Sequence, residues 1–284
     1  MTQIKNRCVL ITGGASGIGK LIAKRCLEQR AYKVILWDIN EVNLLKTKSQ
    51  FANLGYAVDT DVVDVANLED IERASKKVKE TYTTIDILFN NAGIVVGKSF
   101  VEHSHREISK TININTAALM HITREFLPEM IDQCEGHVIN IASASGLIAN
   151  PNMSVYAASK WAVIGWSESV RLEMERGETG VNVTTVMPSY ISTGMFDGAK
   201  SPFMTPMLTP DYIVDKIMKA VKNNEIILQE PFMVKSVPIL KGLLPQRMFD
   251  FIAGKIFGVH NTMDDFKGRP TKLAVPDKDK LSAQ

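Results

Sequence analysis

Short runs of β-branched and aliphatic residues alternate with longer stretches of helical spacing along most of the chain. The strand candidates are residues 8–12, 33–38, 58–65, 86–90, 137–143, 181–187 and 225–229. The helix candidates are Lys20–Arg30, Leu68–Tyr82, Asn115–Ile131, Val155–Glu175 and Tyr212–Val221. Several strand candidates are apolar throughout, as expected for parallel strands that are covered on both faces. This alternation predicts an α/β fold, a doubly wound parallel sheet of seven strands with helices on both faces.

The overall composition fits one domain of this kind. The chain has 284 residues, of which 45% are hydrophobic, enough for a large core. A formal charge of +2 gives no reason to expect nucleic acid as a partner. No uninterrupted apolar stretch approaches the ~20 residues that a membrane span requires. The N-terminus lacks the charged and then apolar leader of a secreted protein, so we expect a cytoplasmic protein.

Cysteines and histidines show no metal-binding pattern. Cys8, Cys26 and Cys134 are odd in number and far apart, without CxxC spacing, which fits a reducing cytosol. Only His103 and His105 of the five histidines lie close together in sequence, on a polar stretch. We therefore expect no metal and assign the histidines surface or structural roles.

A glycine-rich loop, TGGASGIG, follows the first strand directly and opens into a helix. Gly13 would permit a tight turn, Gly17 a close approach of the backbone to a pyrophosphate, and Gly19 close packing of helix and strand. The helix N-terminus would then face the phosphates with unpaired N–H groups and a partial positive charge. The residues that we expect to bind a dinucleotide here are Gly13, Ser16, Gly17, Ile18 and Gly19.

Asp38 ends the second strand, 19 residues after Gly19. A carboxylate at this place accepts hydrogen bonds from adenosine ribose hydroxyls and repels a 2′-phosphate. The next residue, Ile39, and Ser16 in the glycine loop are both uncharged. The sequence therefore favours NAD(H) over NADP(H).

Tyr156 and Lys160 stand four residues apart in YAASK, inside a predicted helix. This spacing places the two side chains on one face, with Cβ atoms roughly 5–6 Å apart. A lysine cation there would lower the pKa of the phenol toward neutrality, as a general acid/base requires. The pair alone also occurs by chance in amphipathic helices, so its meaning depends on the other motifs.

These motifs together resemble the short-chain dehydrogenase/reductase family. The matching segments, in the order of the family, are TGGASGIG (12–19), NNAG (90–93), Asn115, Ser143, YAASK (156–160) and PSYIST (188–193). The resemblance covers about residues 5–230, and the glycine spacing fits the compact branch of the family. It implies a Rossmann-type fold and hydride transfer between an alcohol or carbonyl and NAD(P).

Four catalytic roles follow from this resemblance. Tyr156 would be the general acid/base, and Ser143 would hydrogen-bond the substrate oxygen. Lys160 would lower the pKa of Tyr156 and hold the nicotinamide ribose. Asn115, chosen over Asn113 for its spacing to Pro128, would support a water that links Lys160 to solvent.

The resemblance also extends the cofactor site beyond the glycine loop. Asp64 and Val65 fit the adenine-flanking pair better than Asp61 and Val62 do, because the following ANLEDI then matches the family register. Ile191 and Thr193 would contact the nicotinamide carboxamide, although Ser189 replaces a family glycine and would bend this loop differently. The residues added in this way are Asp64, Val65, Asn91, Ala92, Gly93, Tyr156, Lys160, Pro188, Ile191 and Thr193.

Apolar residues dominate the segments that we expect to wall the substrate. They are Ile94, Val95, Val96, Leu147, Ile148, Met153, Met195, Phe196, Phe203, Met204 and Met207. Such a wall suits a lipophilic alcohol or ketone. Residues 231–270, with the preceding DGAKSPFMTPMLTPDY, resemble the retinol-dehydrogenase-like subgroup, which implies a retinoid, steroid or long-chain substrate.

The chain thus divides into a catalytic part, 1–230, a helical extension of the same domain, 231–270, and a flexible tail, 271–284. The extension has helical spacing at Phe249, Ile252 and Ile256 together with several basic residues. It would cap the pocket or make a peripheral membrane contact through 236–258. The alternative is a helix packed on its own domain or on a partner subunit. From the family we expect a homodimer or homotetramer.

Two other functions compete with an NAD-dependent alcohol dehydrogenase or carbonyl reductase. A fatty-acid-type reductase of 3-oxoacyl thioesters would prefer NADPH and need a basic docking patch, and the sequence shows neither. A non-catalytic dinucleotide-binding module would not need Asn115, Ser143, Tyr156 and Lys160 together.

Overall fold

A sheet of seven parallel strands organises the chain in the computed structural model, which describes residues 1–268. The strands are β1 (Cys8–Thr12), β2 (Lys33–Asp38), β3 (Asp59–Val62), β4 (Ile87–Asn90), β5 (Gly136–Ile141), β6 (Val181–Pro188) and β7 (Ile227–Glu230). Their order across the sheet is β3-β2-β1-β4-β5-β6-β7, and every pair is parallel. The predicted doubly wound, Rossmann-type sheet is confirmed. The strand order switches between β1 and β4, because β2 and β3 are added on one side of β1 and β4 to β7 on the other.

Helices cover both faces of this sheet. They are α1 (Gly17–Glu28), α2 (Glu41–Asn53), α3 (Leu68–Thr81), α4 (His105–Ile112), α5 (Ala118–Asp132), α6 (Ser154–Arg176), α7 (Pro210–Asn223), α8 (Phe232–Leu243) and α9 (Gln246–Phe251). The sequence analysis missed α2 and α4, although Asn40 caps α2 by accepting from Asn43 N–H and Ser104 begins α4 with a capping box. Both helices carry polar residues at most positions, so their apolar spacing is weak.

Two boundaries differ from the prediction in ways that affect the site. The third strand ends at Val62, not at residue 65, because the N–H of Asp64 turns to the Asp70 carboxylate at 2.7 Å. The helix expected to begin at Asn115 is preceded by a π-helical turn, Asn113–Ala117, which joins α4 to α5. Such π turns recur at functional sites.

Alternating residues of each central strand enter two separate cores. Val9 and Ile11 of β1 pack with α1, α2 and α7 on one face, while Cys8 and Leu10 pack with α3, α5 and α6 on the other. This is the period-2 pattern of a strand that is buried on both sides. Packing on both faces fixes the strand ends and therefore the start of the loops that follow them.

The C-terminal extension packs against the catalytic part of the same chain. Val234 of α8 and Phe249 of α9 are buried, and Phe249 is followed by a π-helical turn, Ile252–Ile256. The proposed division at residue 230 coincides with the end of β7, but the extension shares a cavity with the catalytic part. The predicted tail, 271–284, and residues 269–270 lie outside the described residues.

Cys8, Cys26 and Cys134 are all free thiols. Within residues 1–268, no helix is long and apolar enough to cross a membrane. No group of three or more potential metal ligands occurs in the same described part of the chain.

Candidate active site

The loops after β1 and β4 meet because these two strands are neighbours in the sheet. The Thr12 hydroxyl accepts from the N–H groups of Asn91 and Ala92, both at 3.0 Å. The Asn91 amide donates to the carbonyl oxygens of Thr12 and Gly13 at 2.9 and 3.2 Å. Asn91 therefore fixes the glycine loop. Thr12 was missed as a site residue, although its position before Gly13 was visible in the sequence.

Two glycines fit this loop for different reasons. Gly13 has a positive φ of 64°, and a Cβ there would lie 3.0 Å from Ala92 Cα. Gly19 lies beneath the loop, where a Cβ would overlap the Gly13 carbonyl oxygen and sit 2.5 Å from Asn91 Nδ2. The first turn of α1 contains no acidic residue, so its free N–H groups and dipole suit an anion. The loop thus has the shape and polarity to hold a pyrophosphate.

The Asp38 carboxylate lies beside this loop. One oxygen accepts from Ala15 N–H at 3.1 Å, and the other accepts from Asn40 N–H at 3.0 Å. A carboxylate oxygen has a second lone pair, so both oxygens keep acceptor capacity toward the cleft that Asp38 lines.

The two candidate pairs for flanking adenine lie in different places. Asp64 and Val65 line the cleft, next to Val63. Asp61 lies elsewhere and pairs with Arg73 and Lys77 at 3.4 and 3.0 Å.

A buried chain of amides stands behind the cleft in the central sheet. Asn90 donates to Thr123 Oγ1 and to Asn140 Oδ1, both at 2.9 Å. Asn140 in turn donates to Ser167 Oγ at 2.9 Å. These bonds connect β4 and β5 to α5 and α6, the helix that carries Tyr156.

Tyr156 lies in the first turns of α6, with its hydroxyl close enough to the Ser143 side chain for Ser143 to lower its pKa. Ser143 follows β5 and also accepts from Ser145 N–H at 3.1 Å, which begins a short 3₁₀ turn. Phe196 packs edge-on against the Tyr156 ring, with centroids 6.1 Å apart. The phenol is therefore held from two sides.

Lys160 is buried one turn further along α6 and donates to the Ile141 carbonyl oxygen at 2.7 Å. Asn115, in the π turn, bonds the Ile94 backbone in both directions, at 2.8 and 2.9 Å, and donates to Ser159 Oγ at 3.1 Å. Asn115 lies behind the cleft surface and holds its backbone wall at Ile94.

The pKa of Tyr156 differs from the sequence expectation. Burial raises it to about 12, and the hydrogen bond with Ser143 lowers it only in part. Burial also lowers the pKa of Lys160 to about 8. The Lys160 amine lies 5.8 Å from the centre of the Tyr156 ring. Burial therefore outweighs the expected acidification in the protein alone, and helical spacing could not reveal this.

Ser189, where the family has a glycine, lies in the loop after β6. Its backbone is not in the left-handed region, and its N–H donates to the Glu230 carbonyl oxygen at 2.8 Å. Pro188, Ile191 and Thr193 all line the cleft.

One cleft at the carboxyl ends of the strands contains nearly all the residues that were predicted to be catalytic or to bind the cofactor. Only Gly19 and Asn115 are not on its surface. The lining residues that the sequence analysis assigned neither to the cofactor nor to catalysis are Ile39, Val63, Ile94, Lys110, Ile114, Ile141, Ala142, Ser189, Met195 and Phe196. Ile94, Met195 and Phe196 were expected in the substrate wall, whereas the others carry no chemical signature and only the fold could identify them.

A second, mostly apolar cavity adjoins this cleft at Ser143, Ser189 and Phe196. Its walls come from the loop after β5, the loop after β6 and the C-terminal extension, including Ile148, Met233, Val237, Leu240, Ile252 and Phe257. Of the predicted substrate wall, Ile148 and Phe196 line it. Met153 is instead buried with Tyr156 in a small core, and Phe203, Met204 and Met207 are exposed.

This fold and site define an α/β oxidoreductase that binds a dinucleotide. The family model for short chain dehydrogenases matches residues 7–202 of this chain. The chain belongs to the short chain dehydrogenase family, as its motifs predicted.

Curated relatives match nearly the whole chain. Short-chain dehydrogenase/reductase 3 of Homo sapiens is 35% identical over 271 residues, covering 95% of this chain and 89% of that protein. Epidermal retinol dehydrogenase 2 of Mus musculus is 34% identical, covering 95% and 88%. Estradiol 17-beta-dehydrogenase 11 of Macaca fascicularis is 34% identical, covering 89% and 84%. The predicted retinol-dehydrogenase-like subgroup is confirmed.

Solved structures share the fold. A short chain dehydrogenase/reductase from Burkholderia phymatum in complex with NAD has a TM-score of 0.78 at 23% identity, covering 85% of this chain and 95% of that one. A short-chain dehydrogenase from Sphingobium yanoikuyae in complex with NADPH has a TM-score of 0.73 at 25% identity, covering 84% and 97%. The two complexes hold different dinucleotides, so they do not select one for this chain.

Proposed function

We propose that this protein interconverts a lipophilic alcohol and its carbonyl, with NAD as the hydride carrier. The observation that carries the proposal is the junction of the cleft at the strand ends and a second, mostly apolar cavity at Ser143, with Tyr156 and Lys160 beside it in the cleft. A substrate in the apolar cavity would present its oxygen where the Ser143 and Tyr156 hydroxyls already meet. The retinol and estradiol in the names of two relatives fit this substrate class.

The chain's own residues would handle the proton and the position of the substrate. The Ser143 hydroxyl would hydrogen-bond the substrate oxygen, while Tyr156 would take the proton from an alcohol or return it to a carbonyl. Lys160 would supply positive charge and bind a ribose hydroxyl. Asn115 would keep the wall at Ile94 in place and support the water expected next to Lys160.

A bound nicotinamide supplies the hydride chemistry, which no side chain offers. The pyrophosphate of the dinucleotide would be held by Gly13, Gly17, Ile18 and the N-terminus of α1. Asp64 and Val65 would flank adenine, while Ile191 and Thr193 would contact the carboxamide. Burial raises the pKa of Tyr156 to about 12 in the protein without its cofactor. A nearby positive charge favours the tyrosinate, so we expect oxidised NAD to lower this pKa.

The preference for NAD rests on Asp38. Its carboxylate faces the cleft next to uncharged Ile39, and a 2′-phosphate at this place would meet a negative charge. Lys110 is the basic residue of the cleft lining besides Lys160, and it lies on α4, an element distinct from β2 and the glycine loop.

The remaining parts of the proposal concern assembly and place. We keep the expected homodimer or homotetramer, which sedimentation equilibrium tests. We also keep a cytoplasmic location with a peripheral membrane contact through 236–258, because this segment carries exposed apolar and basic side chains.

Nicotinamide absorbance at saturating NAD or NADP, with retinol, steroid, long-chain alcohol and 3-oxoacyl thioester substrates, tests this function. We expect turnover of at least one lipophilic alcohol with NAD. Turnover confined to the acyl thioester with NADPH would assign the competing reductase function. Dinucleotide binding without turnover of any substrate class would favour a non-catalytic module.

A further inference from the structure

We propose that an exposed apolar face around the mouth of the apolar cavity docks on an anionic lipid bilayer, so that substrate passes from the membrane into the site. This docking face is defined by Phe203, Met204, Phe232, Ile239, Leu243, Met248, Phe251 and Ile256, all of which are exposed. The inference deepens the proposed function and rests on its lipophilic substrate. It specifies which side chains meet the lipid and why they surround the cavity.

Helix α8 turns one face to the cavity and another to solvent. Met233, Val237 and Leu240 line the cavity. Phe232, Ile239 and Leu243 form a stripe at helical spacing, with exposed fractions of 75%, 63% and 77%. An exposed apolar face of this kind marks a surface that contacts another molecule or a membrane.

The next segment repeats this arrangement. Phe249 and Ala253 are buried and line the cavity, while Met248 and Phe251 point outward, followed one turn later by exposed Ile256. Met248 and Phe251 are three positions apart, which places them on one face of α9, and exposed Ile256 ends the π-helical turn that follows.

The loop between β6 and α7 completes the docking face. Pro202 and Thr205 line the cavity, and the intervening Phe203 and Met204 are exposed. The Phe203 N–H donates to the Phe257 carbonyl oxygen at 2.8 Å, which joins this loop to the extension. Exposed apolar side chains therefore come from the same three segments that wall the cavity.

The charges of the extension favour an anionic surface over a second copy of the chain. Residues 231–258 contain four basic residues and one acidic residue, a net charge of +3. Lys235, Arg247 and Lys255 are exposed, whereas Asp250 accepts from Gln246 Nε2 at 2.8 Å. A self-complementary dimer through this face would bring like charges together. Basic side chains around apolar ones instead match lipid headgroups around acyl chains.

Vesicle flotation tests this proposal with phosphatidylcholine vesicles that contain or lack phosphatidylserine. The apolar variant is Phe232→Ser/Leu243→Ser/Phe251→Ser, and the charge variant is Lys235→Glu/Arg247→Glu/Lys255→Glu. We expect the wild-type chain to float with the phosphatidylserine vesicles. Binding should fall at least about tenfold in the apolar variant and roughly a hundredfold in the charge variant.

A matched control separates the docking face from general surface hydrophobicity. Val42→Ser/Leu45→Ser/Leu54→Ser removes three apolar side chains, 75%, 58% and 58% exposed, from α2 and the residue after it. This control should float like the wild type. Wild-type protein that does not float, or an apolar or charge variant that floats equally well, would overturn the proposal. If the wild type does not bind vesicles and the apolar variant has a lower oligomeric state than the wild type, the face would be assigned to contact with a second copy of the chain.

The same variants separate failure of docking from failure of the proposed function. With retinol delivered in vesicles, the apolar variant should show an apparent KM raised roughly tenfold, and a short water-soluble alcohol should react as with the wild type. An equal KM for vesicle-borne retinol would contradict the transfer route even if catalysis is intact. Flotation is read without turnover, so it remains decisive if no alcohol is oxidised.

Discussion

Asp38 shows how one side chain can serve both structure and specificity. Its two oxygens accept from the backbone at Ala15 and Asn40, so they tie the glycine loop to the start of α2. The same carboxylate lines the cleft and leaves lone pairs for a ribose. Replacing the carboxylate by an amide therefore removes the charge while keeping one of the two acceptors.

The variant Asp38→Asn retains one oxygen to accept from Ala15 N–H but loses the negative charge. We expect the apparent KM for NAD to rise about tenfold and the preference over NADP to shrink, because charged hydrogen bonds contribute about 1.5–3 kcal/mol. Initial rates with each dinucleotide measure this effect, and Asp132→Asn on the exposed end of α5 is the control. A wild-type protein that already prefers NADP would contradict the role of Asp38.

Lys160 should make the stability of the fold depend on alkaline pH. Its pKa is about 8 in the folded protein, against 10.5 as its ordinary value, because burial disfavours the charged form. Between these values the unfolded chain binds more protons than the folded one, so this group makes the free energy of unfolding rise with pH. Below pH 8 both states are protonated, and the contribution no longer changes.

Urea unfolding of the wild type and Lys160→Met at several pH values tests this. Relative to the variant, the wild type should gain about 1–3 kcal/mol from about pH 8 to about pH 10. The difference between the two proteins removes the contributions of tyrosines and cysteines that titrate in the same range. The exposed Lys222→Met variant should show no such gain. A pH-independent difference would mean that Lys160 is not held in a desolvated site.

At the scale of elements, the glycine loop works because α1 approaches it without side chains in between. A methyl group at Gly19 would overlap the Gly13 carbonyl oxygen. We expect Gly19→Ala to lower the free energy of unfolding by about 1–3 kcal/mol and to weaken NAD binding at least about tenfold. Denaturant unfolding and NAD titration by fluorescence measure the two effects.

Gly165 provides the matched control for that substitution. It lies in α6, and a methyl group at its Cα would have no neighbouring atom within 4 Å. Gly165→Ala should leave NAD binding unchanged and stabilise the protein by up to about 1 kcal/mol, since alanine favours helix. Equal effects at the two glycines would contradict the close approach of α1 to the loop.

The C-terminal extension is joined to the catalytic part by a buried polar cluster. The hydroxyls of Tyr190 and Thr262 lie 2.8 Å apart, and both contact the Asn150 amide, at 3.0 and 2.7 Å. Phe196 packs edge-on against Tyr190 with centroids 5.1 Å apart, and it also contacts Tyr156. A change at Thr262 can therefore reach the catalytic tyrosine through two aromatic rings.

We expect Thr262→Val to cost about 1–3 kcal/mol, because it leaves buried polar groups without a partner. The KM for a bulky alcohol should rise, while NAD affinity stays unchanged, because Thr262 touches the substrate cavity wall and not the dinucleotide cleft. Steady-state kinetics with NAD titration separates these effects, and the exposed Thr81→Val variant is the control. Equal losses of NAD and substrate affinity would instead indicate a general loss of folding.

Local patterns predicted the elements that carry their own signals. The glycines after β1, Asp38 at the end of β2 and Tyr156 with Lys160 on α6 all stand where the spacing placed them. Helix α2 was missed because its buried positions, Leu44, Thr47 and Phe51, include a polar residue. The pKa of Tyr156 was missed for a different reason, since burial depends on segments distant in sequence, such as Phe196.

At the scale of the whole molecule, the sheet order brings distant segments to one place. Because β1 lies beside β4, the glycine loop meets Asn91, and because β5 lies beside β6, Ser143 meets the Pro188–Thr193 loop. Two cores hold these strand ends from opposite faces. The alternation of strands and helices predicted this architecture. It could not predict the tertiary contacts that join the extension to the catalytic part, such as those of Lys241 with Leu147 and Trp161.

Comparison of Tyr156→Phe with the wild type tests the central claim most directly. Turnover of a lipophilic alcohol is followed by NADH absorbance, and NAD binding is measured separately by fluorescence titration. The substitution removes only the hydroxyl that meets Ser143, so NAD affinity should stay within about twofold and kcat should fall at least about a thousandfold. Turnover that is unchanged in Tyr156→Phe would contradict the assignment of this phenol as the proton carrier.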